Sequence, residues 1–134
     1  MGSVNNQVDS MEDNGRSPLN FQISAQNSMV VVSFSGALIN SNLGVIERCV
    51  VEVLGSKATS VVLNFRKVTK LDFPAISQLI RFQHAIREKP AKLRLCFLSS
   101  DFLRILEDRG AIRKDELRIT LAEAVHSFDF KMKN

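Results

Sequence analysis

Thr59-Ser60-Val61-Val62-Leu63-Asn64-Phe65-Arg66-Lys67-Val68-Thr69-Lys70-Leu71-Asp72-Phe73-Pro74 decides the fold. The run Val61-Val62-Leu63 is β-branched and apolar without alternation, the pattern of a strand covered on both faces of a sheet. It predicts a central strand over Thr59–Phe65. Arg66 to Leu71 then reads as a short basic connection. Pro74 marks the first turn of a helix, where its missing N–H removes nothing the helix needs.

Downstream, Ala75, Leu79, Phe82 and Ile86 recur on one helical stripe, with Ser77, Arg81, His84 and Glu88 on the opposite, wet face. Pro90 ends that helix. Leu93, Leu95 and Phe97 predict a strand. Ser99 or Ser100 caps a third helix that runs to Arg109 and is closed by Gly110. Leu117 and Ile119 give a last short strand, and Thr120 caps a final helix through Leu121, Ala124, Val125 and Phe128.

Upstream, Leu43, Ile46, Val50, Val53 and Leu54 form another stripe, with Cys49 at its edge. Asn40 to Asn42 offer N-caps, and Gly55 is placed to stop the helix from the left-handed region. Met29–Phe34 is a second buried strand, ended by Gly36. Leu19, Phe21 and Ile23 alternate with polar residues, so a half-buried strand precedes it across a turn at Ala25–Ser28. The order β-β-α-β-α-β-α-β-α predicts an α/β domain with a mixed, mostly parallel sheet of about five strands and four helices.

The domain is expected over 19–130. Residues 1–18, rich in Ser, Asn, Asp and Gly, read as a disordered lead, and 131–134 as a tail. The chain has 134 residues, 45% hydrophobic and 24% charged, enough for one core without metal or disulfides. No apolar run approaches the roughly 20 residues that span a bilayer, and no secretory leader is legible, so membrane insertion is not expected and a cytoplasmic setting is. Cys49 and Cys96 sit in apolar patterns and read as buried thiols.

The formal net charge is +4. From Arg66 to Arg94 eight basic residues face only Asp72 and Glu88, whereas before Arg16 the chain carries only Asp9, Glu12 and Asp13. A basic middle attracts acidic proteins or anionic ligands. Nucleic acid is not expected, because no aromatic stacking platform accompanies the charge. Nor is catalysis. His84 and His126 have no metal-ligand partner at helical spacing, and Ser77 and His84 are two turns apart, roughly 10 Å along the axis. No cofactor motif is present.

The stretches Val30–Leu38, Val61–Phe65 with Val68, Leu71 and Asp72, Leu106–Gly110, and Leu121–Val125 together resemble the STAS domain family, which includes the anti-sigma-factor antagonists. The resemblance covers about residues 19–128 and implies the STAS fold and a non-catalytic protein-interaction role in bacterial signalling and transcription regulation. Its implied partner is an anti-sigma factor with serine kinase character, or another STAS protein, with the chain itself a monomer or weak homodimer. The implied partner surface is the loop from Lys67 to Ala75 with the outer face of the following helix: Arg66, Lys67, Thr69, Lys70, Asp72, Phe73, Pro74, Ala75, Ser77, Gln78 and Arg81.

The pattern is broken in two places. Regulated members follow the Asp with Ser-Ser-Gly or Ser-Thr-Gly, whose second hydroxyl is phosphorylated, whereas Asp72 is followed by Phe73-Pro74-Ala75. The phosphoacceptor position is therefore Pro74, which has no hydroxyl. The Asp usual in the central strand is Asn64. Thr69, Ser77, Ser99 and Ser100 are the remaining hydroxyls where control could reside. Phe73 either enters a partner's pocket or tucks into the core, and the sequence leaves both open. Two further roles remain compatible with the resemblance: an accessory STAS subunit of an ABC lipid transporter, and a STAS domain binding a nucleotide or other small anion.

Overall fold

A computed structural model describes residues 17–129. Five strands form one sheet in the order β1-β2-β3-β4-β5. They are β1 (Leu19–Gln26), β2 (Met29–Leu38), β3 (Ser60–Leu71), β4 (Lys92–Cys96) and β5 (Leu117–Arg118). β1 pairs antiparallel with β2, and every later pairing is parallel. The helices are α1 (Leu43–Gly55), α2 (Phe73–Glu88), α3 (Ser100–Asp108) and α4 (Leu121–Asp129). The predicted fold class and element order are therefore observed.

One face of the sheet carries the main core. Val30, Val32 and Phe34 of β2, Val61, Leu63 and Phe65 of β3, and Leu93 and Leu95 of β4 are buried there under Ile46, Cys49 and Val53 of α1, the apolar stripe of α2 and Leu106 of α3. The rings of Phe34 and Phe65 stack with centroids 5.7 Å apart. The second face is covered only in part. Val62 and Cys96 lie under Ala124 and Phe128 of α4, with Met29, Val31, Phe97 and Leu121 at the margin. Arg94 is buried on this side: its guanidinium lies 4.7 Å from the Phe128 ring centroid, and its Nε donates to Ser127 Oγ at 2.7 Å. Burial, then the nearby charge of Arg118, lowers the pKa of that guanidinium.

Both thiols are buried and free. Burial pushes Cys49 up to about 12 and Cys96 up to about 11.

Several local expectations are corrected. β2 does not end at Gly36 but continues to Leu38. Gly36 has φ +116°, and a Cβ there would lie 2.1 Å from the Pro18 carbonyl oxygen, so the position admits the incoming chain only because it lacks a side chain. Residues 66–71 are not a connection: β3 runs through them, paired with β2 alone. Asn42 does not cap α1 with its side chain, because its amide donates instead to the carbonyls of Ser17 and Ala37. Gly55 does not adopt a left-handed conformation, and the helix ends on an extended Ser56. Phe97 leaves β4 with φ +60° rather than continuing it, and Ile119 is 75% exposed outside β5. Ser99 and Thr120 do cap α3 and α4, accepting from the N–H groups of Phe102 and Glu123.

Of the expected lead, 1–16 lie outside the described residues, as does the expected tail at 131–134. Ser17 and Pro18 are described and tied down: Pro18 O accepts from the Ala37 N–H at 3.1 Å.

Candidate functional site

The residues expected to meet a partner fall into three places. The first is the start of α2. Asp72 is its N-cap, with Oδ1 accepting from the Ala75 N–H at 3.2 Å and Oδ2 from the Asn40 N–H at 2.8 Å. One carboxylate thus fixes both the first turn of α2 and the segment that enters α1. Phe73 and Pro74 follow on that turn, both outward. Phe73 is 64% exposed, so it does not tuck into the core. Its ring is held from one side by Arg109 at the end of α3, whose guanidinium carbon lies 3.6 Å from the ring centroid. Sequence reasoning missed Arg109, since nothing local ties the close of α3 to the start of α2. Ala75 is 0% exposed and belongs to the core. Its side chain is beyond a partner's reach and it leaves the expected surface.

The second place is the outer side of α2. Arg81 is exposed, and Ser77 and Gln78 are half-buried. Gln78 Nε2 donates to Glu47 Oε1 of α1 at 3.1 Å, which gives that residue a structural task as well. His84 is exposed on the same helix and His126 on α4, with no constellation around either.

The third place is the extension of β3. Pairing of Ser33 with Asn64 is followed by pairing of Ser35 with Lys67, so β3 has one residue more than β2 between those points. That bulge changes the parity of the strand. Ser33 and Ser35 face the same side, hence Asn64 and Lys67 do too, and Arg66 joins them at the same groove. Regular alternation would have sent Lys67 to the core face. A second register shift follows between Gly36 and Ala37, leaving Thr69 and Lys70 exposed.

The groove created on the open half of the second face has a volume of about 440 Å³. Asn20 and Gln22 of β1, Ser33 and Ser35 of β2, and Asn64, Arg66 and Lys67 of β3 line it, with no carboxylate among the lining residues. Asn64 is locked, since Nδ2 donates to Ser33 Oγ at 3.2 Å and Oδ1 accepts from the Arg66 N–H at 3.1 Å. The Arg66 guanidinium carbon lies 5.3 Å from the Phe97 ring centroid. Alternating polar residues in β1 signal a wet face, but no residue pattern announces the bulge.

Among the described residues no group of three or more His, Cys, Asp or Glu could hold a metal, and no helix is long and apolar enough to cross a membrane. The start of α2 presents an outward aromatic on a capped first turn with one cation, Arg109, against its ring.

No curated protein matches the chain in sequence. Solved structures do match it in fold. An anti-sigma factor antagonist from Mycobacterium paratuberculosis is similar at a TM-score of 0.73 and 16% identity, over 82% of this chain and 93% of that one. The anti-sigma factor antagonist SpoIIAA in its unphosphorylated form is similar at 0.68 and 15%, over 83% and 97%. A sulfate transporter family protein from Wolinella succinogenes is similar at 0.68 and 17%, over 83% and 93%. These likenesses establish the fold. The sequence model of the STAS domain matches residues 20–124, and the chain belongs to the STAS domain family.

Proposed function

We propose that this STAS domain is a non-catalytic, cytoplasmic protein-binding module of the anti-sigma-factor-antagonist kind, whose partner is an anti-sigma factor with serine kinase character or another STAS protein. Phe73 carries the reading. An aromatic 64% exposed on the first turn of a helix, with its backbone fixed by the Asp72 cap, is poised to fill a partner's pocket at little cost in ordering. Lys67, Thr69 and Lys70 on the β3 extension, Arg66 beside them, and Asp72, Pro74, Ser77, Gln78 and Arg81 around α2 make up the rest of the surface. Its cations favour an acidic partner and speed the encounter.

Pro74 occupies the position where the family's regulated members carry the phosphorylated hydroxyl. A phosphate adds about −1.5 to −2 charges. With no hydroxyl at that position, docking is not switched off there, and binding is constitutive or governed elsewhere.

The test is affinity capture from native cytosol with wild-type and Phe73→Asp baits, followed by kinetics on the recovered partner. The reading expects an ATP-binding anti-sigma kinase or a STAS protein. It also expects Phe73→Asp to weaken binding by roughly 30-fold or more, the scale of a hot-spot aromatic at about 2 kcal/mol. Lys67→Glu with Lys70→Glu is expected to slow association about tenfold with little change in dissociation. Recovery of an ABC transporter ATPase would replace this function with that of an accessory transporter subunit. Binding indifferent to Phe73→Asp would remove the proposed surface.

A further inference from the structure

We propose that the outer edge of β3 from Arg66 to Leu71 takes up an acidic, extended segment of a partner protein as an added strand. The backbone, the charge and the length of that edge point to this occupant.

The backbone comes first. β3 pairs with β4 only as far as Asn64 opposite Cys96, but with β2 as far as Leu71 opposite Leu38. β4 does not follow it further, because Phe97 turns at φ +60° and gives its N–H to the Ile119 carbonyl. Backbone groups alternate sides along a strand. Ala37 turns its N–H to Pro18, on the β1 side, so Gly36 and Leu38 turn theirs to β3. Leu38 O indeed accepts from the Asp72 N–H at 3.1 Å. In a parallel pair the residue opposite such a member faces away. Val68 opposite Gly36, and Leu71 opposite Leu38, therefore turn their N–H and C=O groups outward. Among the described residues no strand pairs with them on that side, and no turn or loop hydrogen bond reaches them.

The charge selects the occupant. Arg66, Lys67, Thr69 and Lys70 are exposed along this stretch. The ion pairs among the described residues join Arg87 to Glu116 and Arg104 to Asp101, so none of the three cations has an acidic partner there. Asp72, next in the chain, is committed to the Ala75 and Asn40 N–H groups. An acidic strand therefore gains at these cations, whereas a second copy would bring cations of its own.

The length sets the size of the segment. Residues 66–71 at about 3.3 Å each give roughly 20 Å of edge, room for one short strand. Main-chain hydrogen bonds to Val68 and Leu71 hold it, and its acidic side chains at alternate positions provide the selection. That the segment belongs to a protein partner rests on the proposed function, whereas the fitness of the edge for an acidic strand does not.

The experiment titrates the isotope-labelled full chain with a synthetic peptide of about eight residues alternating Glu and Thr, read by NMR with no partner present. The backbone amides of Val68, Thr69, Lys70 and Leu71 are expected to shift to saturation, with a Kd of about 1 mM or tighter. At about nine-tenths saturation, hydrogen exchange at Val68 and Leu71 should slow about tenfold, because pairing withholds both N–H groups from water. Lys67→Glu with Lys70→Glu should weaken binding about tenfold. The same peptide with every amide N-methylated should lose as much, since methylation removes the pairing and keeps the charge. Equal binding of the methylated peptide overturns the proposal, because charge alone would then hold it. So does silence of these amides at about 5 mM peptide. Shifts of the same amides on raising the protein concentration alone would give the edge to a second copy and overturn it too. Failure here leaves the reading of Phe73 standing, and capture indifferent to Phe73→Asp leaves the edge standing, so the two are separable.

Discussion

On one face of the sheet, Val32, Phe34, Leu63, Phe65 and Leu95 lie under three helices. On the other, α4 covers Val31, Val62 and Cys96 and stops short of Ser33, Ser35 and Asn64. The same strands supply both faces, so β-propensity cannot distinguish them. What differs is the partner each face received. The first has enough apolar area to bury three amphipathic helices, and its stability follows from close packing. The second has one helix to share among five strands, and the uncovered part is polar because water is its neighbour. Of the proposed partner surface, Arg66 and Lys67 stand on that open half, while Phe73 and Arg81 stand on α2 over the other face.

That contrast can be broken most severely from the first face. Phe82 is 1% exposed in the main core. Phe82→Ala is expected to cost about 3–5 kcal/mol in denaturant unfolding, through lost transfer energy and the cavity left behind. A loss below about 1 kcal/mol would mean that the first face is far less tightly packed than described.

The two thiols sharpen the contrast, because one lies under each face. Each has its pKa raised from 9.0, Cys49 to about 12 and Cys96 to about 11. The unfolded thiols therefore ionise first. Between pH 9 and about 11–12 the folded state retains protons the unfolded state has lost, so stability is full below pH 9 and falls as pH rises through that window. Between pH 8 and 10 the expected loss is about 1 kcal/mol per thiol. It is read as the difference in pH slope between wild type and Cys49→Ala or Cys96→Ala. Equal slopes would mean that water reaches the thiols.

The smallest effect belongs to the groove. Gln22→Ser and Ser35→Ala are expected to change stability by no more than about 0.5 kcal/mol, since each touches the open half of the second face alone. A larger loss would show that the groove is structural.

Legibility in the sequence followed the same division. The covered elements were readable because burial imposes a period, as in the stripe Ala75, Leu79, Phe82 and Ile86 and in the run Val61–Leu63. Caps with local chemistry were readable too, at Ser99 and Thr120, whereas the cap at Asp72 was not read. Three further things were not. The bulge at Phe65–Arg66 leaves no residue signature, so the -Arg-Lys- pair looked like a connection when it is strand. Asn42 had the chemistry of a cap but found stronger acceptors in the carbonyls of Ser17 and Ala37. Arg109 meets Phe73 only because the fold brings the close of α3 to the start of α2, and no local pattern encodes that. Of the expected partner surface, Ala75 was lost because N3 of α2 faces the sheet, while its neighbours Phe73 and Pro74 face out.

β3 has a further consequence through its length. Its pairing with β4 ends at Asn64, while the strand runs on to Leu71 with β2 on one side only. A bare strand margin is where identical chains join edge to edge and grow into fibres. Arg66, Lys67 and Lys70 stand along that margin, and like charges keep copies apart. The cations of the proposed partner surface therefore also act as the molecule's anticoagulant, and that protection fades as salt is added.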